Sequence, residues 1–492
     1  MRNHTSLGLS VVATAVVCLG PSASFAHPPG ADGSHVHVED LPRPAELTAA
    51  EAYRPSPKPD RVVLTFAHDP ATTQAVTWRT DAATKEGFAQ FTLATKGPQF
   101  VSNSDRMRAN PDLVSVIKAE TTEYRTDLSE ANYHTAEFTG LTPNTKYVYR
   151  VGDGTNWSEW SQFTTAAGEA APFSFIYVGD AQNDVLSLWS RVIRQAFSDD
   201  PKAAFTLHAG DLINRAEADG EWGGWFEAGG FINRSTPVLA TPGNHEYYTL
   251  DNSVSDHWRP TFAFPENGPE VEGLEETVWY LDYQGVRFIS LNSNEKQAEQ
   301  VPWLRKTLES SPNKWVVVTF HHPLYNSKSG RDNPKLRSLW QPVFDEFGVD
   351  LVLQGHDHTY ARSKLVTSAD NEVEQNASAS SKNDVRSQPK GTQDVNVATG
   401  VTGVSEAGTV YVVSVSGPKM YDLGDRPLFR RTAANTQLYQ IVRIDGETLR
   451  YEAYTALGNL YDGFTLTKNE TGPNTLTEDA ADDVRVPVNA GR

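Results

Sequence analysis

Phe173-Ser174-Phe175-Ile176-Tyr177-Val178-Gly179-Asp180 is the stretch from which the fold is read. A run of β-formers ends in a glycine and a carboxylate, the pattern of a buried strand closed by a tight polar turn. The pattern recurs along the chain. Ala203–Leu207 leads to Gly210-Asp211, and Val238–Ala240 leads to Gly243-Asn244-His245-Glu246. Trp315–Phe320 leads to His321-His322, and Val349–Leu353 leads to Gly355-His356-Asp357-His358. Helical spacing separates several of these runs. Asp184 to Phe197 sets Val185, Leu188, Trp189, Val192 and Ile193 on one face, with Asp184 as the N-cap. Pro334 to Phe347 repeats that spacing, and Val301 to Leu308 is a shorter candidate. Strands alternating with helices predict an α/β core of buried strands. In open α/β sheets, ligands bind beyond the carboxyl ends of the strands, where all of these clusters lie.

The clusters supply carboxylate, amide oxygen and imidazole, the donors that borderline-hard divalent metals take. A single Gly-Asp pair would read as an ordinary turn, and so would Asn244 alone. The set together points to a two-metal hydrolytic site. Two ions about 3.5–4 Å apart need a bridging ligand, and a carboxylate can reach both. Neutral donors complete each shell without repelling a phosphate. A histidine that is not a ligand then protonates the leaving oxygen. Asp357, between two candidate ligands, is expected to point away from the site. Packing is the expectation for Tyr247, Tyr248, Tyr325 and Tyr360.

The ordered set Gly179-Asp180, Gly210-Asp211, Gly243–Glu246, His321-His322-Pro323 and Gly355–Arg362 resembles the calcineurin-like metallophosphoesterases. It is most similar to the purple acid phosphatase branch, and the likeness runs from about Pro59 to Lys468. The resemblance implies an α/β metallophosphoesterase sandwich, two sheets flanked by helices, over residues 172–468. It implies that Asp180 and His358 hold one metal, that Asp211 bridges, and that Asn244, His321 and His356 hold the other. His245 would be the general acid or a phosphate-binding histidine. The chain departs from that pattern in places. Asn214 stands where the branch carries its iron-binding tyrosine, so two divalent ions (Fe, Mn or Zn) are expected rather than a ferric tyrosinate. Gln182 stands where many relatives carry a histidine, and it either ligates weakly through its amide oxygen or lines the site. Arg331 lies where plant relatives place substrate-binding histidines, and could clamp phosphate through its planar fork. His322, Arg331 and Asn214 are the expected substrate contacts.

Ahead of this core, Val62–Phe66, Ala75–Trp78, Ala89–Leu93, His134–Phe138 and Lys146–Val151 are short strands separated by turn signals, as in a β-sandwich. Gly140–Tyr147 is similar to the end of a fibronectin type III domain, which sets an all-β fibronectin-like sandwich over 60–166. Residues 1–26 read as a secretory signal, with an apolar Leu7–Leu19 and small residues up to Ala26. Residues 27–59 read as a linker, in which the His35/His37 pair is incidental. Residues 368–406 read as a flexible insertion, and 471–492 as a disordered acidic tail. The one cysteine, Cys18, lies in the signal, so the mature chain has neither disulfides nor thiolate ligands. A net charge of -19 over 492 residues argues against duplex nucleic acid or anionic membrane as partner. The expectation is a secreted, bacterial, binuclear phosphatase without a membrane anchor. It would act on small phosphate monoesters by direct attack of a metal-bound hydroxide. The alternatives are a phosphodiesterase or nucleotidase, or a silent cell-surface binding protein on the same fold.

Overall fold

A computed structural model of the chain describes residues 47–103, 105, 108–371, 407–424 and 428–479. The expected signal, the first part of the linker, residues 372–406 of the insertion and residues 480–492 of the tail lie outside the described residues. No helix among the described residues is long and apolar enough to cross a membrane.

Two four-stranded antiparallel sheets form the first domain. One runs Asp60–Thr65, Gln74–Asp81, Glu130–Phe138, Glu120–Arg125; the other runs Ser115–Lys118, Phe88–Leu93, Lys146–Gly152, Ser161–Thr164. Alternate residues such as Leu64, Trp78, Phe138, Tyr149 and Phe163 fill the space between them. The strands at 115–118, 120–125 and 161–164 carry no apolar pattern, because they are edge strands with mostly exposed side chains.

The second domain stacks two seven-stranded sheets. The first runs Val238–Ala240, Thr206–His208, Phe173–Val178, Leu438–Asp445, Thr448–Thr455, Leu460–Thr467, Thr475–Glu478. The second runs Trp279–Tyr283, Val286–Ser290, Trp315–Thr319, Leu351–Gln354, Thr409–Val413, Tyr360–Val366, Phe429–Ala433. Period-two alternation explains the layering. Phe288, Val317, Leu353 and Val412 face the other sheet. Ile289, Val318, Val352 and Val413 face outward, against helices Val301–Glu309 and Pro334–Phe347. Phe175 meets Phe288 edge-on across the layer, with ring centroids 5.3 Å apart. The five strands that precede the polar clusters run parallel to one another within each sheet, so their carboxyl ends there point one way.

Several expectations are corrected. Asp184 does not cap by its side chain; it sits in a left-handed turn (φ 49°) ahead of a short π-helical turn, Val185–Trp189, that continues as helix Ser190–Asp199. A helix at Asp219–Gly229 has no clear sequence signal, because its glycines and tryptophans break the amphipathic pattern. The tail from Thr471 is not wholly disordered: Thr475–Glu478 pairs with Leu460–Thr467, and Asp479 and Glu478 ion-pair with Arg450 and Arg362. The last linker residues form a short helix, Ala49–Ala52, and Tyr53 packs where Gly223 leaves no room for a Cβ. The first residues of the insertion, Ser368–Asp370, form a turn that Asp370 caps through the N–H of Thr367.

A buried ion network ties the β-domain to the rest. Arg61 donates twice to Asp219, at 2.5 and 2.9 Å, and Arg79 joins at 3.3 Å while clamping Asp60 bidentately. His257 completes the shell at 3.3 Å. Arg61 takes a left-handed φ of 50° at a β-bulge, which aims its guanidinium inward. Burial alone would raise the Asp219 carboxyl, but the His257 hydrogen bond and the two guanidiniums hold it well below the ordinary range. Asp219→Ala leaves the buried Arg61 guanidinium without its carboxylate partner, while Arg79 keeps Asp60, and is expected to cost about 3–5 kcal/mol of unfolding free energy in chemical denaturation. A depressed folded pKa means the contribution is complete above the unfolded value of about 3.9 and is lost as pH falls below it. The gap between wild type and variant should therefore narrow in acid.

Candidate metal centre

The turns after the strands share an unusual backbone. Asp180 (φ 48°), Asp211 (φ 54°), His356 (φ 73°) and His358 (φ 48°) are all left-handed. Each non-glycine residue held there costs about 1 kcal/mol or more, and such strain concentrates at functional sites. Two glycines make the close approach possible. A Cβ on Gly243 would collide with the Asp211 carboxylate, and one on Gly355 with that of Asp180.

The side chains converge on one buried cluster. Donor atoms of Asp180, Asp211 and His358 lie within 4.8 Å of one another, and so do those of Asp211, His321 and His356. Asp211 belongs to both triads. Its Oδ2 is 3.1 Å from His321 Nε2, and Asn244 Oδ1 lies 3.2 Å from the same nitrogen. His356 Nδ1 is 3.2 Å from His321 Nε2, and His358 Nε2 is 3.5 Å from Asp180 Oδ1. The outward nitrogens are tied down: His321 Nδ1–H donates to the Ala209 carbonyl at 2.8 Å and His358 Nδ1–H to that of Lys419 at 2.9 Å. Those bonds fix which nitrogen faces the cluster, because each commits the outward nitrogen as the N–H donor. Gln182 Nε2 donates to Asp211 Oδ2 at 2.7 Å, while its Oε1 is buried without a partner. A half-turn of that amide would add an oxygen donor to the cluster. Carboxylates, amide oxygen and neutral imidazole at this spacing fit divalent cations.

Two buried carboxylates in one cluster call for positive charge beside them. Burial pushes Asp180 well above the ordinary carboxylate range, and the nearby Asp211 charge pushes the same way. Burial also works against Asp211, but His321, hydrogen-bonded to it, holds it below that range. His321 is correspondingly raised to about 9: burial lowers it, and the two carboxylates outweigh that. Burial lowers His356, and lowers His358 to about 3.

His245 sits at the rim. Its backbone N–H donates to Asp211 Oδ1 at 2.9 Å, and its Nδ1–H donates to the Asn214 carbonyl at 2.5 Å. Nε2 is left 4.0 Å from Asp211 Oδ2. Beneath it, the fully buried Glu246 accepts from the N–H groups of Asp211, Leu212 and Gly243 at 2.7–2.8 Å. Glu246 therefore sets the shape of two ligand-bearing turns, a role that its adjacency in sequence to His245 does not reveal.

The expected substrate contacts fare differently. His322 lies beside the cluster, its ring 4.3 Å from that of His356 and its Nδ1 2.9 Å from Ser293 Oγ; burial lowers it to about 3. Arg331 does not reach over the cluster as a free clamp: it donates to the His356 carbonyl at 3.1 Å and to Asp357 Oδ1 at 3.2 Å. Asn214 turns its side-chain oxygen to Asn183 at 3.0 Å and serves the site through its carbonyl. Asp357 points away, as expected, and accepts from the N–H groups of Ser327 and Lys328.

Residues 59–165 match the purple acid phosphatase N-terminal domain, and residues 173–360 match the calcineurin-like phosphoesterases. An uncharacterised protein of Mycobacterium tuberculosis is 32% identical over 292 residues, 51% of this chain and 54% of that one. The Fe(3+)-Zn(2+) purple acid phosphatase 12 of Arabidopsis thaliana is 26% identical over 248 residues, 46% of this chain and 50% of that one. The chain thus spans about half the length of these curated relatives. Among solved structures, the purple acid phosphatase PPD1 from yellow lupin (Lupinus luteus) seeds superimposes with a TM-score of 0.64 at 18% identity. That match covers 84% of this chain and 75% of the lupin chain, and shows a shared fold.

Two substitutions test the cluster by metal content. Asp211→Ala removes the residue common to both triads, and is expected to lower the metal content of the purified protein well below that of wild type, as read by elemental analysis. Glu246→Ala touches no donor atom, yet should weaken metal affinity about 10–100-fold in a chelator titration.

Proposed function

We propose that this chain, which belongs to the calcineurin-like phosphoesterases and carries a purple acid phosphatase N-terminal domain, is a binuclear metal-dependent phosphatase acting on phosphate monoesters. The observation that supports this reading is the pair of donor triads sharing Asp211. Asp180 and His358 would hold one ion, with Gln182 available as an oxygen donor. Asn244, His321 and His356 would hold the other, and Asp211, common to both triads, would serve both. Asn214 in the tyrosine position favours two divalent ions, unlike the ferric–zinc pair that the Arabidopsis relative's name specifies. Bound ions supply positive charge to the phosphoryl oxygens and lower the pKa of water.

The chain's own residues do the rest. Water attacks phosphorus and releases a proton, the ester P–O bond breaks, and the leaving oxygen takes a proton from His245 Nε2. The Asn214 carbonyl supports this role, because it engages Nδ1–H and leaves Nε2 as the exchanging nitrogen. Glu246 holds the turn that carries His245. His322, anchored on Ser293, borders the place of the phosphate. In this role residues 1–26 act as a secretory signal.

His245→Ala should slow hydrolysis of p-nitrophenyl phosphate by about 10²–10⁴-fold with metal content near that of wild type. Metal loss in that variant would make His245 a ligand rather than an acid. Faster turnover of bis(p-nitrophenyl) phosphate than of the monoester would move the enzyme to the diesterases. Silence of the metal-loaded wild type on both would overturn the reading.

A further inference from the structure

Tyr421 lies against the metal cluster, its ring centroid 4.7 Å from that of His358. Cations surround it: Lys328 Nζ at 3.7 Å from the ring centroid, Arg331 Cζ at 5.3 Å and Lys419 Nζ at 5.7 Å. All of these side chains are half-buried. Like charges gathered on one ring repel each other, and cation–π attraction offsets that only in part. Arg331 is balanced by Asp357. Lys328 and Lys419 make no ion pair with any carboxylate among the described residues. Such a concentration of cations stands out in a chain of net charge -19. Its place is fixed by the site itself: the Lys419 carbonyl holds His358, and Arg331 holds the His356 carbonyl.

We propose that Lys328 and Lys419, positioned on Tyr421, form a subsite for a second phosphate group, so that preferred substrates carry two or more phosphates. The proposal rests on the phosphatase reading of the adjacent cluster. The ring orders two long, entropy-rich side chains before the ligand arrives, which lowers the cost of engaging it. A second phosphate then replaces mutual repulsion with charge-assisted hydrogen bonds.

The test uses two ligand pairs, ADP against AMP and fructose 1,6-bisphosphate against fructose 6-phosphate. Dissociation constants are measured by calorimetry in the metal-loaded His245→Ala background, where turnover is slow. The doubly phosphorylated member of at least one pair should bind about 10–100-fold more tightly. Lys328→Gln with Lys419→Gln should erase that preference while changing affinity for the singly phosphorylated member less than about threefold. Each single substitution should remove part of it, with the thermal midpoint reporting intact folding. A preference in the ADP pair alone identifies condensed phosphates, and one in the fructose pair alone identifies polyphosphorylated alcohols. No preference in either pair, or equal loss for both members of a pair, overturns the proposal. If the preference is present but wild-type protein hydrolyses none of the four, the subsite stands and the phosphatase reading falls.

Discussion

Two carboxylates, Asp180 and Asp211, are buried in one cluster, and the rest of the site follows from making that tolerable. Buried like charges drive each other's pKa upward unless positive charge stands between them. His321 supplies that charge to Asp211, while the one backbone N–H of His356, shared between both oxygens, grips Asp180 at 2.9 and 2.7 Å. The strained turns, the two glycine clearances and the underlying Glu246 all serve this arrangement. A left-handed Asp or His is unfavourable in isolation, and persists because the surrounding packing leaves it no alternative.

The cluster is split between layers. Asp180, Asp211 and Asn244 come from the first seven-stranded sheet; His321, His356 and His358 come from the second. The stacking of the sheets is therefore part of the site's geometry. Phe175 on Phe288 and the hydrogen bond from Tyr177 to the Gln354 carbonyl hold the layers in register close to the donor turns. The β-domain also reaches toward the site through a continuous set of contacts. Arg61 grips Asp219 at the start of its helix, and Glu221 in that helix accepts from the N–H of Asn214 at 2.7 Å. The Asn214 carbonyl then holds His245.

Legibility differed by residue for physical reasons. Asp180, Asp211, Asn244, His321, His356 and His358 stood out because few side chains can ligate a hard cation and each followed an apolar strand. His245 could be singled out by likeness alone. Glu246 was hidden, since a buried acceptor of several backbone N–H groups carries no pattern of its own. Arg331 and Asn214 were visible as residue types but not as partners: one is drawn to Asp357, and the other acts through its backbone. Tyr421 and Lys419 lie over 50 residues beyond the last cluster, past the expected insertion, so nothing local links them to His358.

Apolar periodicity and the chemistry of oxygen and nitrogen donors were enough, from the sequence alone, to set the α/β class, the sandwich ahead of it and the ligand types at the strand ends. Both depend on local order along the chain, which a one-dimensional pattern records. Only the tertiary structure decided that Asp211 serves both triads, which nitrogen of each imidazole faces inward, and which cations gather on Tyr421. Those facts arise from distances between segments far apart in sequence, and packing of the two sheets sets them.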